Sequence, residues 1–157
     1  MAAEEESDKK LMRLMSLMIA GMAKGLYEMF GEAAFAVMSE TGKSILEILE
    51  KEMNLKVDGE EPSEVLNAIG RIFADEMGFV DSFAVIREGN RLTVTVHGCQ
   101  GWDMTQAVLK TGVEVPFTCP IMNVCQAALI RMGSPARKTI SPIPETHGST
   151  IVFTLIE

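Results

Sequence analysis

Apolar residues in the first quarter of the chain recur at steps of three and four. Over residues 7 to about 38, Leu11, Leu14, Met15, Met18, Met22, Leu26, Met29 and Phe30 fall on one side of a helical projection, which predicts an amphipathic helix. Ser7 or Asp8 is placed to accept its first unpaired N–H groups. Gly21, Gly25 and Gly31 each weaken a helix by roughly 1 kcal/mol relative to alanine. Three of them predict either close packing against another helix or a break near Gly25 or Gly31.

Residues 41–55, TGKSILEILEKEMNL, read as a second helix. The polar loop KVDGEEPSE follows, and Pro62 with Ser63 opens a third helix over about 63–77 that Gly78 stops. There the hydrophobic period changes. FAVIREGNRLTVTVHGC predicts two strands around a Gly-Asn turn, with Leu92, Val94 and Val96 alternating against Thr93, Thr95 and His97. WDMTQAVLK is a short helix ending at Gly112. Pro120 opens another that runs to Met132 and is closed by Gly133 and Pro135. KTISPIPETHGSTIVFTLIE supplies two last extended segments. The order of helices, hairpin, helices, hairpin predicts an α+β domain: an antiparallel sheet of about four strands packed against helices. Residues 1–24 are expected to be an acidic tail and Met-rich helix that pairs two copies, and residues 25–157 the α+β domain.

Composition narrows this picture. A chain of 157 residues with 47% hydrophobic and 23% charged residues forms one globular domain whose core needs no disulfides. The net charge of -8 argues against nucleic-acid and anionic-membrane partners. Arg13, Lys24 and Glu28 interrupt the first apolar run, so no membrane span is expected. Three cysteines cannot close a disulfide framework, and the N-terminus MAAEEESDKK is acidic where a secretion signal is basic. A cytoplasmic setting with reduced thiols is expected.

Candidate chemistry sits in three places. In FTCPIMNVCQ, Cys119 opens a helix and Cys125 lies inside it, about 120° around the axis and roughly 9 Å along it. A disulfide needs Cα atoms within about 7 Å, so the two cannot pair. Cys125 is expected in the core. Cys119, at a helix N-terminus, meets exposed N–H groups and a dipole that favour thiolate, although Thr118 is an alternative cap. In HGCQGW, His97 and Cys99 are two apart and share a strand face, open either to a shared ion or to a fraying loop. Trp102, the single tryptophan, either lines a pocket or plugs the core. In PETHGST, Glu145 and His147 precede a glycine turn, as ligands, an acid–base pair or a solvated loop. The twelve methionines suit a core, a helix interface or an adaptable apolar site. GxGxxG, GxxxxGK[ST], HExxH and GxSxG are all missing, which points to a binding module rather than an enzyme.

The stretches TCPIMNVCQAALIRMG and PETHGSTIVFTLIE resemble the 4-vinyl-reductase-like domain family, small-molecule-binding domains related in fold to subunits of the TRAPP vesicle-tethering complex. The resemblance spans about residues 20–157. It implies an apolar or aromatic ligand held between helices and sheet, with Trp102, Phe117 and Met122 as candidate ligand-binding residues. It also implies a zinc site of the kind some aromatic-sensing members build from cysteines and a glutamate. Here that set would be Cys119, Glu145 and His147, completed by water, His97 or Cys99. The last strand, IVFTLIE, has no cysteine, and His147 stands one position early. The alternatives are a zinc, iron or thiol redox protein built on Cys119, and a ligand-free interaction scaffold.

Overall fold

The computed structural model describes all residues 1–157. Five helices and four strands follow in the order α1 (Ala2–Phe30), α2 (Ala34–Lys51), α3 (Pro62–Arg71), β1 (Ser82–Glu88), β2 (Arg91–His97), α4 (Trp102–Lys110), α5 (Pro120–Arg131), β3 (Ala136–Ile143) and β4 (Gly148–Leu155). The strands form one antiparallel sheet in the order β1-β2-β4-β3. The last strand therefore inserts between β2 and β3. The α+β architecture and the four-stranded sheet are as the periodicity predicts.

Gly89 (φ 62°) and Asn90 turn β1 into β2, and Glu88 pairs with Arg91. A positive φ at the first central residue alone is the II′ pattern, whose twist matches the strands it joins. Leu92, Val94 and Val96 are at most 1% exposed, and with Ile151 and Phe153 they form the buried sheet face. α3 and α5 lie on that face, and α2 packs against α5 from outside. Gly42 makes the second contact possible: a Cβ there would stand 2.3 Å from the Asn123 carbonyl oxygen. At the start of α3, the Glu64 carboxylate accepts the Glu60 and Glu61 backbone N–H groups at 2.9 and 3.2 Å. Pro62 sits in the first turn, where its missing N–H is no loss.

The N-terminal region differs from its periodicity in three respects. α1 begins at Ala2, with Met1 as N-cap and no side-chain cap, so Ser7 and Asp8 lie within the helix instead of starting it. The break falls at Gly31 (φ 58°), after which a 3₁₀ turn leads into α2 at Ala34, so residues 34–38 belong to the second helix. α1 is continuous across residues 24 and 25. The face it buries is also not the methionine stripe. α1 packs on α4 through Ser16, Ala20 and Ala23, small residues that let the two backbones approach. Leu11, Met15, Met18, Met22 and Met29 remain 45–76% exposed. A second, smaller core closes this end: Ala20, Ala23, Ala34, Val108, Val113 and Phe117, with Tyr27 and Phe35 rings 5.1–6.5 Å from each other and Phe117. No helix is long and apolar enough to cross a membrane.

Candidate functional site

Three separated segments meet at one end of the sheet. β2 ends at His97 and runs into the loop 98–101 ahead of α4, while the turn Pro144–Thr146 and His147 join β3 to β4. Gly98 N–H donates to the Thr146 carbonyl and Cys99 N–H to the His147 carbonyl, both at 2.9 Å. The His97 Nδ1 lies 2.7 Å from Thr146 Oγ1. Two glycines set the approach. A Cβ on Gly148 would stand 1.9 Å from the Val96 carbonyl oxygen, and one on Gly98 (φ 63°) 2.0 Å from Asp81 Oδ2.

This junction leaves a crevice of about 500 Å³, lined by Asp81, Cys99, Trp102, Asp103, Glu145 and His147 among others. His147 adopts a left-handed backbone conformation (φ 50°). Its imidazole stacks on the Trp102 indole with centroids 5.3 Å apart and planes within 5°. Three carboxylates line the crevice and no lysine or arginine does. Its potential therefore favours a neutral or cationic guest over an anion.

Behind Trp102 lies a second space of only about 20 Å³, bounded by Cys99, Trp102, Cys119, Ile121 and Ile140 among others. That is room for about one water. The space between helices and sheet is otherwise filled by the main core. Met122 and Phe117 are each 2% exposed, Met122 in the main core and Phe117 in the smaller one. Neither borders the crevice. Trp102 and Cys99 wall both spaces.

Cys119 is the N-cap of α5, as its position before Pro120 predicts, but the thiolate expectation fails. Burial pushes its thiol up from 9.0 to about 11, against the smaller pull of the Met122 and Ile121 N–H groups. Desolvation of the charged form outweighs the helix-start effect. Cys99 is raised by the same cause, and Cys125 is buried in the main core with its thiol raised further. All three thiols are free. Glu145 and His147 are exposed and His97 half-buried. No three His, Cys, Asp or Glu side chains come together closely enough to hold an ion, so the expected zinc set of Cys119, Glu145 and His147 is not assembled.

Sequence reasoning found Cys99, Trp102, Glu145 and His147 and missed Asp81, Gln100, Asp103 and Thr146. Asp103 had a signal, being adjacent to Trp102 in the first turn of a helix. Asp81, just ahead of β1, had none. It also missed Lys138, which sits on the inward side of β3. Its Nζ donates to Asn123 Oδ1 at 3.1 Å and to Gln126 Oε1. The fully buried Asn123 donates in turn to the Phe117 carbonyl at 2.9 Å. Burial lowers the Lys138 ammonium. The two-residue alternation of Ala136, Lys138 and Ile140 carried that signal.

The family described as "Putative rubredoxin C-terminal domain" matches residues 15–157. No curated protein sequence matches the chain. Among solved structures, a trafficking protein particle complex subunit 3 from Naegleria fowleri, covalently bound to palmitic acid, superposes with a TM-score of 0.61 at 11% identity. The match covers 95% of this chain and 97% of that one. The phenol-responsive sensory domain of the transcription activator PoxR, with phenol, gives 0.58 at 11% identity, covering 89% and 74%. At such identities the likeness establishes the fold, and that fold is the one expected from the TRAPP-subunit resemblance. The family that matches carries a different description from the 4-vinyl-reductase-like one that the sequence resembles.

Proposed function

The chain belongs to the family described as "Putative rubredoxin C-terminal domain", and we propose that it is a small-molecule-binding domain of the sensor or carrier type. Its ligand is an aromatic molecule without a carboxylate, seated in the crevice against Trp102. The observation that carries this reading is the stacked Trp102–His147 pair in the wall of an open crevice of ligand size, with Trp102 also bounding the small space at Cys119. Small-molecule sites run to roughly 300–1,000 Å³, and here the Trp102 indole supplies the flat aromatic surface within a lining that is otherwise mainly polar. The acidic lining of Asp81, Asp103 and Glu145 disfavours a fatty-acid headgroup.

Fold partners support a ligand-holding role: one is captured with phenol and another with palmitate. The resemblance to 4-vinyl-reductase-like domains supports the same role. The chain's three cysteines include no C-x-x-C pair, so a four-thiolate iron centre is not built from this chain alone. Two copies act together, joined through the exposed face of α1, in a cytoplasmic setting.

Trp102 is the only tryptophan, so its fluorescence reports the site directly. Titration with phenol, indole and a cationic aromatic amine is expected to give a saturable change for at least one. His147→Ala is expected to weaken that binding about tenfold, or 1.4 kcal/mol. No saturable response would overturn the reading. So would stoichiometric zinc or iron in protein purified without chelator and lost in Cys119→Ala, which would place a metal centre there instead.

A further inference from the structure

α1 has two apolar faces, and the chain covers only one. At 100° per residue, Leu11, Met15, Met18, Met22, Gly25 and Met29 form a single seam about 150° around the helix from Ser16, Ala20 and Ala23, the residues buried beneath it. The seam advances in steps of 4, 3, 4, 3 and 4, which is the spacing of a coiled-coil a/d stripe. With Leu14 on its flank, 54% exposed, it leaves roughly 600 Å² of side-chain surface uncovered, taking about 200 Å² for a fully exposed leucine or methionine. That is at the lower end of what one partner brings to a standard interface.

Gly21 and Gly25 lie on this same side, and a Cβ on either would meet nothing within 4 Å. Neither has an ordinary reason within the chain to be glycine: no left-handed backbone conformation and no neighbour that needs the space. Their smallness makes sense against something that approaches from outside.

We infer that a second copy of this chain covers the seam, with its α1 antiparallel and the two-fold axis passing between Met18 and Met22. This rests on the reading that α1 joins two copies, and adds the register. Residues whose numbers sum to 40 then face one another, so that Met18 meets the partner's Met22 and Leu11 the partner's Met29. Met15 fills the gap over the partner's Gly25. A two-fold interface must be complementary to itself, and this register satisfies that with Met15 of each copy against Gly25 of the other. A parallel pairing would instead set Gly25 against itself. It would also bring together the acidic first turns that carry Glu4, Glu5 and Glu6, which the antiparallel arrangement holds apart.

Sedimentation of the full chain is expected to show a dimer. Met18→Glu with Met22→Glu should weaken it by roughly a hundredfold while circular dichroism keeps the wild-type helicity. Gly25→Leu has open space in the monomer, so it should leave the monomer folded while also weakening the dimer. For the register, Leu11→Cys and Met29→Cys single variants are mixed and oxidised beside wild type, then mapped by peptide mass. Disulfides between positions 11 and 29 of different copies are expected to dominate. A monomer at about 100 μM would overturn the pairing altogether and leave the face to another partner. A dimer that survives the glutamates would overturn α1 as the interface. A dimer whose disulfides join like positions would overturn the register alone.

Discussion

At Cys119 two effects of opposite sign act on one sulfur, and magnitude decides between them. The helix N-terminus favours thiolate, yet burial lifts the thiol from 9.0 to about 11. A raised folded-state value means that the neutral thiol stabilises the fold at low pH. That contribution is fully present below about pH 9 and is lost as pH rises towards 11. The difference in unfolding free energy between wild type and Cys119→Ala should therefore shrink by about 1–2 kcal/mol between pH 8 and 11, read by urea denaturation at each pH. Lys138 works in the opposite sense over part of this range. Its ammonium is depressed by burial and raised in part by Cys119, so its penalty on the fold fades as pH rises towards 10.5. Gly148 makes a steric claim at the same scale. Gly148→Ala would press a Cβ into the Val96 carbonyl, and a loss of about 1–3 kcal/mol is expected, with ligand binding at Trp102 weakened because the β3–β4 turn must shift.

Between elements, the smallest side chains mark the closest approaches. α2 reaches α5 over Gly42, and α1 reaches α4 over Ser16, Ala20 and Ala23. Gly42→Ala should cost about 1–3 kcal/mol in chemical denaturation, because its contact is backbone and cannot yield. Gly21→Ala is the contrasting case. It stands mid-helix in open space, so the isolated chain should gain about 0.8–1 kcal/mol from helix propensity alone. Opposite signs for two glycine-to-alanine changes in neighbouring helices would separate a packing glycine from one held for an external partner. The elements themselves were mostly legible in the sequence. A two-residue alternation gave β2, Gly89–Asn90 gave the hairpin, Pro62, Pro120 and Gly133 marked helix ends, and Gly78 stands just past the π turn Ile72–Glu76 that continues α3. The position of the first helix break was less so: Gly25 and Gly31 looked alike, and only Gly31 takes a positive φ.

Across the whole molecule, α1 is about 43 Å long and rests mainly on α4, with lighter contacts to the start of α2. An outlying helix with a bare apolar seam gains stability when a second copy covers it. The thermal midpoint of wild type should accordingly rise with protein concentration, and that of Met18→Glu/Met22→Glu should not. Scanning calorimetry over a hundredfold range of concentration would show this. α4 also carries Trp102 and Asp103 at the crevice, so the helix that supports α1 supports the ligand wall as well.

By itself the sequence determined what depends on residues close along the chain: element type from hydrophobic period, ends from proline and glycine, the α+β order, and Trp102, Cys99, Glu145 and His147 as residues of interest. Tertiary structure alone decided what depends on distance through space. It joined His97 to Thr146, 49 positions apart, and stacked His147 on Trp102. It also kept Glu145 and His147 from joining Cys119 as one ligand set. It desolvated the half-buried Cys119 thiol that its local position would have ionised, and it turned the small residues of α1 inward and its methionines out. Periodicity says that a helix has an apolar face, but only the packing partner selects the face that is covered, because burial is a property of the neighbours and not of the helix.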